Sequence, residues 1–271
     1  MTKKMLTIIL AGMMMMSMPG WAMAAGSGDM LQDQAQEMPQ IQIQQRDRVQ
    51  TQINPVDQEQ ARIQLRERLQ IIDSAKNQMM ERLRDQVQTQ GQFSDIQYHW
   101  AQVQIQSAYH WGLAFGYPDG GYKPDGNITG LEGVVMMTRL MNCLTGIDAG
   151  MATNGAIDWD ALPDWAKAMS QERNALRIMA QTGYYAEPKL NRYQFGFMLA
   201  KALGIEPADL PEGTVIFLDQ EMIPAADLGY IQALRTLGLI VGYNGNYDPN
   251  RPVTRAEAAC MLTRVLDSLG E

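Results

Sequence analysis

The chain has 271 residues and a net charge of −8, from 22 Lys and Arg against 30 Asp and Glu. No Lys/Arg-rich block or basic stripe offsets that acidity, which argues against nucleic acid and anionic membrane as partners. With two Cys and two His there is no disulfide framework and no zinc-site spacing, so no metal and no cofactor is expected.

The chain opens MTKKMLTIILAGMMMMSMPGWAMAAG. Lys3 and Lys4 form a basic start, Met5 to Met18 an apolar run and Ala22-Met23-Ala24 a small-residue cleavage site, which predicts a signal peptide over 1–24. The run is shorter than the roughly 20 residues of a membrane span. An uncleaved anchor is the alternative. Met13, not Cys, follows Leu10-Ala11-Gly12, so no lipid-attachment site is read there. The mature protein is expected to be exported from near Ala25.

Residues 25–55 are polar and glutamine-dense, with eleven Gln between positions 31 and 60. Such a stretch has too little apolar surface to offset its ordering entropy, and it reads as a disordered spacer. Over 56–90, Leu65, Leu69, Ile72, Met79 and Leu83 recur at three- and four-residue steps, which predicts one long amphipathic helix over 56–87. Lys76 interrupts the seam, so a coiled coil between copies and packing on the following domain both stay open.

From Phe93 the sequence repeats. FSDIQYHWAQ…GYPDGGYKPDGNITGLE and FLDQEMIPAAD…GYNGNYDPNRPVTRAE pair Phe93 with Phe217, Asp95 with Asp219, Gly116-Tyr117 with Gly242-Tyr243, Tyr122 with Tyr247 and Arg139 with Arg264. A worn copy lies between them, with Trp165-Ala166, Gly183-Tyr184 and Asn191–Gln194 at matching places. The repeats span 91–146, 147–205 and 206–271. Each predicts a first helix ending at a glycine, a turn-rich loop, a capping box (Thr129/Glu132, Asn191/Gln194, Thr254/Glu257) and a second apolar helix. One such pair cannot cover its own apolar face, so three should share a centre.

The FSD and FLD openings, His99-Trp100-Ala101, the GYPDGGYKPDGNIT loop and VTRAE together resemble the S-layer homology domain family, over about 93–270. The resemblance implies a mainly α fold, three helix-loop-helix repeats in a pseudo-threefold spindle. It also implies noncatalytic tethering to the bacterial cell wall, through grooves between repeats that bind a pyruvylated secondary cell-wall polysaccharide or a modified peptidoglycan. The implied ligand residues are Thr254, Arg255, Glu257, Gly242 and Tyr243, with Arg192, Tyr184, Gly116 and Tyr117 in the other repeats. Trp100 and Trp165 match the family's core-packing position.

Arg255 is the residue that needs explaining, because a cation in the first turn opposes the helix dipole. Guanidinium and unpaired N–H groups together would make an anion site, suited to a ketal-pyruvate carboxylate. Pairing with a nearby carboxylate is the plainer alternative, and the sequence reading favours the ligand. Repeat 1 has Gly130 in place of the cation, while repeat 2 keeps Arg192 but has Gln194 for Glu and a loop of seven positions from Tyr184 to Asn191 against twelve in repeat 1. One good groove at Arg255, a doubtful one at Arg192 and a degenerate one at Gly130 are therefore expected. Asp119-Gly120 and Asp125-Gly126 read as turns rather than calcium loops. No nucleophile–base constellation appears, and 56–90 is too short for a catalytic domain, so an enzyme is not expected. A surface scaffold that oligomerises through 56–87 is the competing reading.

Overall fold

The computed structural model describes residues 55–88, 93–145, 158, 160–167, 173–211 and 213–270. The predicted signal peptide and Gln-rich spacer lie outside the described residues. The mainly α expectation holds: helices α1 (Pro55–Arg68), α2 (Asp73–Gln88), α3 (Gln102–His110), α4 (Gly130–Asn142), α5 (Asp164–Lys167), α6 (Arg173–Ala180), α7 (Arg192–Ala202), α8 (Ala225–Thr236) and α9 (Arg255–Gly270). Two short antiparallel strands, β1 (Gln70–Ile71) and β2 (Leu144–Thr145), pair Gln70 with Thr145 and Ile71 with Leu144.

All three capping boxes form. Glu132 N–H donates to Thr129 Oγ1 and Thr129 N–H to Glu132 Oε2 (3.2 and 2.8 Å). Gln194 N–H and Asn191 N–H exchange the same bonds (2.9 and 3.0 Å), as do Glu257 N–H and Thr254 N–H (3.2 and 3.0 Å). Each such cap is worth about 1 kcal/mol and fixes where the second helix of a repeat begins. The first helices stop at Gly112, Gly183 and Gly238, with φ of +72°, +86° and +73°, the left-handed geometry that glycine adopts without steric cost.

The residue before each cap sits on the pseudo-threefold axis. Ile128 N–H donates to Val253 O, Val253 N–H to Leu190 O and Leu190 N–H to Ile128 O (3.2, 2.9 and 2.9 Å), a closed ring of three fully buried residues. Around it each first helix packs on the second helix of the preceding repeat. Thus α6 lies on α4, α8 on α7, and α3, from repeat 1, on α9 of repeat 3. The repeat in sequence is therefore not the packing unit in space.

The single helix predicted over 56–87 is corrected to two. Leu69 and Ile71 are 1% and 9% exposed, held in the core while Gln70–Ile71 pairs with β2. A straight helix would forgo that pairing, so the chain breaks and restarts at Asp73, an acidic residue suited to a helix start. Leu65 and Ala75 are buried in the same core, so this apolar face is covered by the chain's own repeats. Its arginines meet helix C-termini. Arg62 Nε donates to Leu237 O (3.0 Å), Arg66 Nε to Ser268 O (2.6 Å), Arg68 to Gly204 O and Leu203 O (2.7 and 2.9 Å) and Arg82 Nη1 to His110 O (3.1 Å). Cations there answer both the unpaired carbonyls and the negative end of the dipole. A Cβ at Gly112 or Gly238 would strike the guanidinium of Arg82 or Arg62, which gives those glycines a second reason besides φ.

Candidate functional site

The loops between helices are set by the Asp of the FSD and FLD openings. Asp95 accepts from Tyr122 and Lys123 N–H (2.8 and 2.7 Å), and Asp219 from Tyr247 and Asp248 N–H (2.9 and 2.8 Å). That grip holds Lys123 and Asp248 at φ of +56° and +55°, which non-glycine residues rarely adopt. Tyr122 and Tyr247 are fully buried against Phe93 and Phe217, and burial pushes both phenols well up. They stay neutral donors, to Arg255 O and Arg192 O (3.1 and 2.8 Å).

Arg255 leaves its own helix start and reaches into repeat 1. Nε donates to Tyr122 O (2.8 Å), Nη2 to Phe115 O (2.7 Å) and Nη1 to Glu132 Oε1 (3.1 Å), with the guanidinium over the Tyr117 and Tyr122 rings at 4.7 and 4.6 Å. Arg192 repeats this one interface on, donating to Tyr247 O, Val241 O and Glu257 Oε1 (2.8, 3.1 and 2.7 Å). Each arginine thus ties its repeat to the loop and capping Glu of the next around the ring. The N–H groups of the helix starts are taken as well. Those of Arg255 and Ala256 donate to Gly126 O and Pro124 O, and those of Arg192 and Tyr193 to Arg251 O and Pro249 O. The expectation of an anion site built on open N–H groups at the start of α9 is corrected accordingly. Arg255 has the carboxylate partner of the plainer reading, and three of its five N–H bonds are engaged.

The third interface is closed by backbone. Gly130 N–H donates to Glu187 O (2.8 Å), and a Cβ at Gly130 would run into the carbonyls of Tyr184 and Tyr185. The shortened loop of repeat 2 fills the space an arginine would need. With no guanidinium arriving, the cap of α7 needs no charge, and it is Gln194 rather than Glu. The lost cation and the lost acid are one event at one interface. Tyr184 belongs here, packed edge-on against Tyr193 and Phe197.

At the Arg255 interface a cleft of 430 Å³ opens between repeats, lined by Phe115, Gly116, Tyr117, Pro118, Glu132, Val135, Met136, Arg139, Trp165 and Arg255, with Ala114. Trp165 is 47% exposed and Trp100 65%, which corrects the core placement implied for both. Tyr117 donates its hydroxyl to Glu132 Oε1 (3.1 Å) beneath Lys123 Nζ, 4.1 Å from its ring. Gly116 and Gly242 are required by close approach, since a Cβ would meet the rings of Phe93 and Phe217. At the Arg192 interface Tyr243 stands 78% exposed, and Arg251 occupies Glu257 instead, with Nη1 to Oε2 at 3.1 Å and Nη2 to Oε1 at 2.5 Å. Burial works to raise the Glu257 carboxyl, but the Arg251 bond, the Thr254 N–H and the charge of Arg192 outweigh it and hold the group below its ordinary value.

Sequence reading did not single out Phe115, Arg139 or Trp165 as neighbours in one cleft. The match of Arg139 to Arg264 and of Trp165 to Trp100 was the available signal. Cys143 and Cys260 are free and buried, with their thiols pushed up to about 11 by burial. No metal-binding group of His, Cys, Asp and Glu occurs among the described residues, and no helix among them is long and apolar enough to cross a membrane.

Three helix pairs closed into a ring by backbone bonds and cross-repeat arginines define a tandem-repeat helical domain with a ligand-sized cleft between repeats. Residues 92–132 and 216–259 match the family model of the S-layer homology domain. S-layer protein EA1 of Bacillus anthracis is 27% identical over 164 residues, which is 59% of this chain and 18% of that protein; an S-layer protein of Bacillus licheniformis gives the same figures. A cellulosome-anchoring protein of Acetivibrio thermocellus is 27% identical over 160 residues, 56% of this chain and 35% of that protein. The chain thus spans well under two thirds of the relatives it matches.

Proposed function

We propose that the chain is a noncatalytic anchor at the bacterial cell surface that holds an acidic wall polysaccharide in the cleft between Tyr117 and Trp165. The observation that carries this reading is the meeting of a half-exposed Trp165 with Arg139 and Arg255 in one cleft. An indole face suits a sugar ring, and guanidinium N–H groups suit its carboxylate. A pyruvate ketal, a carboxylate fixed to the sugar itself, has that combination. The names of the relatives, two S-layer proteins and a cellulosome-anchoring protein, support a surface role. Export, through the segment at 1–24, is part of the same proposal.

The test is co-sedimentation of the full chain with sacculi of the producing organism, before and after hydrofluoric acid strips the secondary polymer. Trp165→Ala, an exposed site that takes no part in the Arg255 hydrogen bonds, should lose binding to native sacculi while melting like the wild type. Equal binding to stripped sacculi would move the ligand to peptidoglycan. Binding unaffected by Trp165→Ala would remove the cleft from the account and leave the repeats as a scaffold.

A further inference from the structure

Repeats 1 and 3 build their loops on the same frame, yet place opposite charges on it. Asp95 takes the N–H groups of Tyr122 and Lys123, and Asp219 takes those of Tyr247 and Asp248. Lys123 and Asp248 therefore hold matching places, at φ of +56° and +55°. A non-glycine residue rarely adopts that conformation, so the carboxylate grip decides where each side chain starts. In repeat 1 the place carries a cation. Lys123 Nζ stands 4.1 Å from the centroid of the Tyr117 ring, and Tyr117 lines the cleft together with Trp165 and Arg255. Lys123 Nζ is paired with Asp119 Oδ2 at 3.0 Å, and the two side chains are 52% and 58% exposed. Solvent-exposed pairs hold weakly, so an incoming carboxylate can take the ammonium at little cost. Asp119 keeps a second bond, accepting from Gly121 N–H on Oδ1 (3.1 Å), and stays in place when the lysine turns away.

Resting on the carbohydrate reading of this cleft, we propose that Lys123 is its specificity-determining residue, the cation at the Tyr117 edge that selects an acidic polymer. Arg255 is buried and already spends three N–H bonds on joining repeats 3 and 1. Lys123 is exposed, with a compact charge on a flexible four-carbon stem that starts from a fixed backbone. It exchanges the Asp119 carboxylate for one borne by the polymer, while the sugar ring lies on Trp165. Repeat 3 carries an acid at the matching place, so the two interfaces differ in what they admit although their frames agree.

Repeat 3 also supplies the variant. Lys123→Asp introduces the residue type that position 248 shows the frame accepts, and Lys123→Asn removes the charge with a side chain that tolerates positive φ. The full-length wild type, both variants, Asp119→Asn and Trp165→Ala are titrated against native sacculi at several NaCl concentrations, after equal thermal melts are established. Lys123→Asp should weaken binding roughly tenfold and flatten its salt dependence, with Lys123→Asn between it and the wild type. Asp119→Asn keeps an acceptor for Gly121 N–H and releases Lys123, so it should tighten binding about twofold. If Trp165→Ala weakens binding and Lys123→Asp does not, Lys123 selects nothing and the cleft reading survives. Equal losses in Lys123→Asp and Lys123→Asn, or a loss in Asp119→Asn, would also overturn the selection, because charge would not be the cause. If Trp165→Ala binds like the wild type, or the wild type itself does not bind native sacculi, the cleft reading falls and the role of Lys123 falls with it.

Discussion

Removing the Arg255 guanidinium should unfold much of what joins repeat 3 to repeat 1. Arg255→Ala strips Glu132 of its cation and leaves the carbonyls of Phe115 and Tyr122 without their donors. The two charged side chains are 8% and 20% exposed, so solvent restores little of the lost interaction. Breaking such a pair from one side costs roughly 3–5 kcal/mol. At about 2–4 °C per kcal/mol for a domain of this size, the midpoint should fall by roughly 6–20 °C. Thermal unfolding followed by far-UV circular dichroism reads this directly. A cleaner version adds Glu132→Gln, which keeps its cap, because Gln194 already forms the same box in repeat 2. The double variant should be less destabilised than the two single costs summed, by about 1–3 kcal/mol of coupling. A midpoint within about 3 °C of wild type for Arg255→Ala, or strictly additive costs, would refute the clamp. The same reasoning warns that loss of wall binding in Arg255→Ala reports folding before it reports ligand.

The closed interface predicts the opposite asymmetry. Giving repeat 1 the arginine of the other two repeats with Gly130→Arg should destabilise by about 1–3 kcal/mol or more, because the Tyr184–Glu187 backbone occupies the space; a urea midpoint at or above wild type would contradict that. Glu257 links stability to acid. Its carboxyl is held below the ordinary 4.5 in the folded chain, so its contribution is complete above that value and disappears as pH falls through the lower folded value. Wild type should therefore lose its advantage over Glu257→Gln on acidification below about pH 4.5, measured as the difference in urea midpoints, and a constant difference down to pH 3 would rule this out.

The local parts of the fold were legible because their signals are local. Thr129/Glu132, Asn191/Gln194 and Thr254/Glu257 announce three helix starts, and Gly112, Gly183 and Gly238 announce three helix ends. The break between α1 and α2 was not, since the apolar spacing of Leu65, Leu69 and Ile72 continues across it. Only the tertiary pairing with Leu144–Thr145 decides it. The partners of the arginines were hidden for a similar reason. Arg255 and Glu132 are 123 residues apart, and no periodicity joins them. One clue was present within the single chain: Gly130 and Gln194 depart from the pattern in different repeats, yet they face the same interface. Read as a pair, they point to a cross-repeat Arg–Glu contact in the other two. The tryptophans misled because the core place in each Trp-Ala pair is taken by the alanine, Ala101 and Ala166 being fully buried while Trp100 and Trp165 stand out.

The packing of α3 on α9 has a consequence for how the domain comes into being. Tyr122 and Arg255, which fasten this contact, are 133 residues apart. While the chain is being made, α3 meets α2 early but lacks its main packing partner until α9 has emerged. No repeat can finish before its neighbours, so the domain should stay uncommitted until the chain is complete and then lock in a single late step, slowly for a helical protein. For the same reason, a truncation that removes one repeat leaves two orphaned helix faces rather than a smaller working domain.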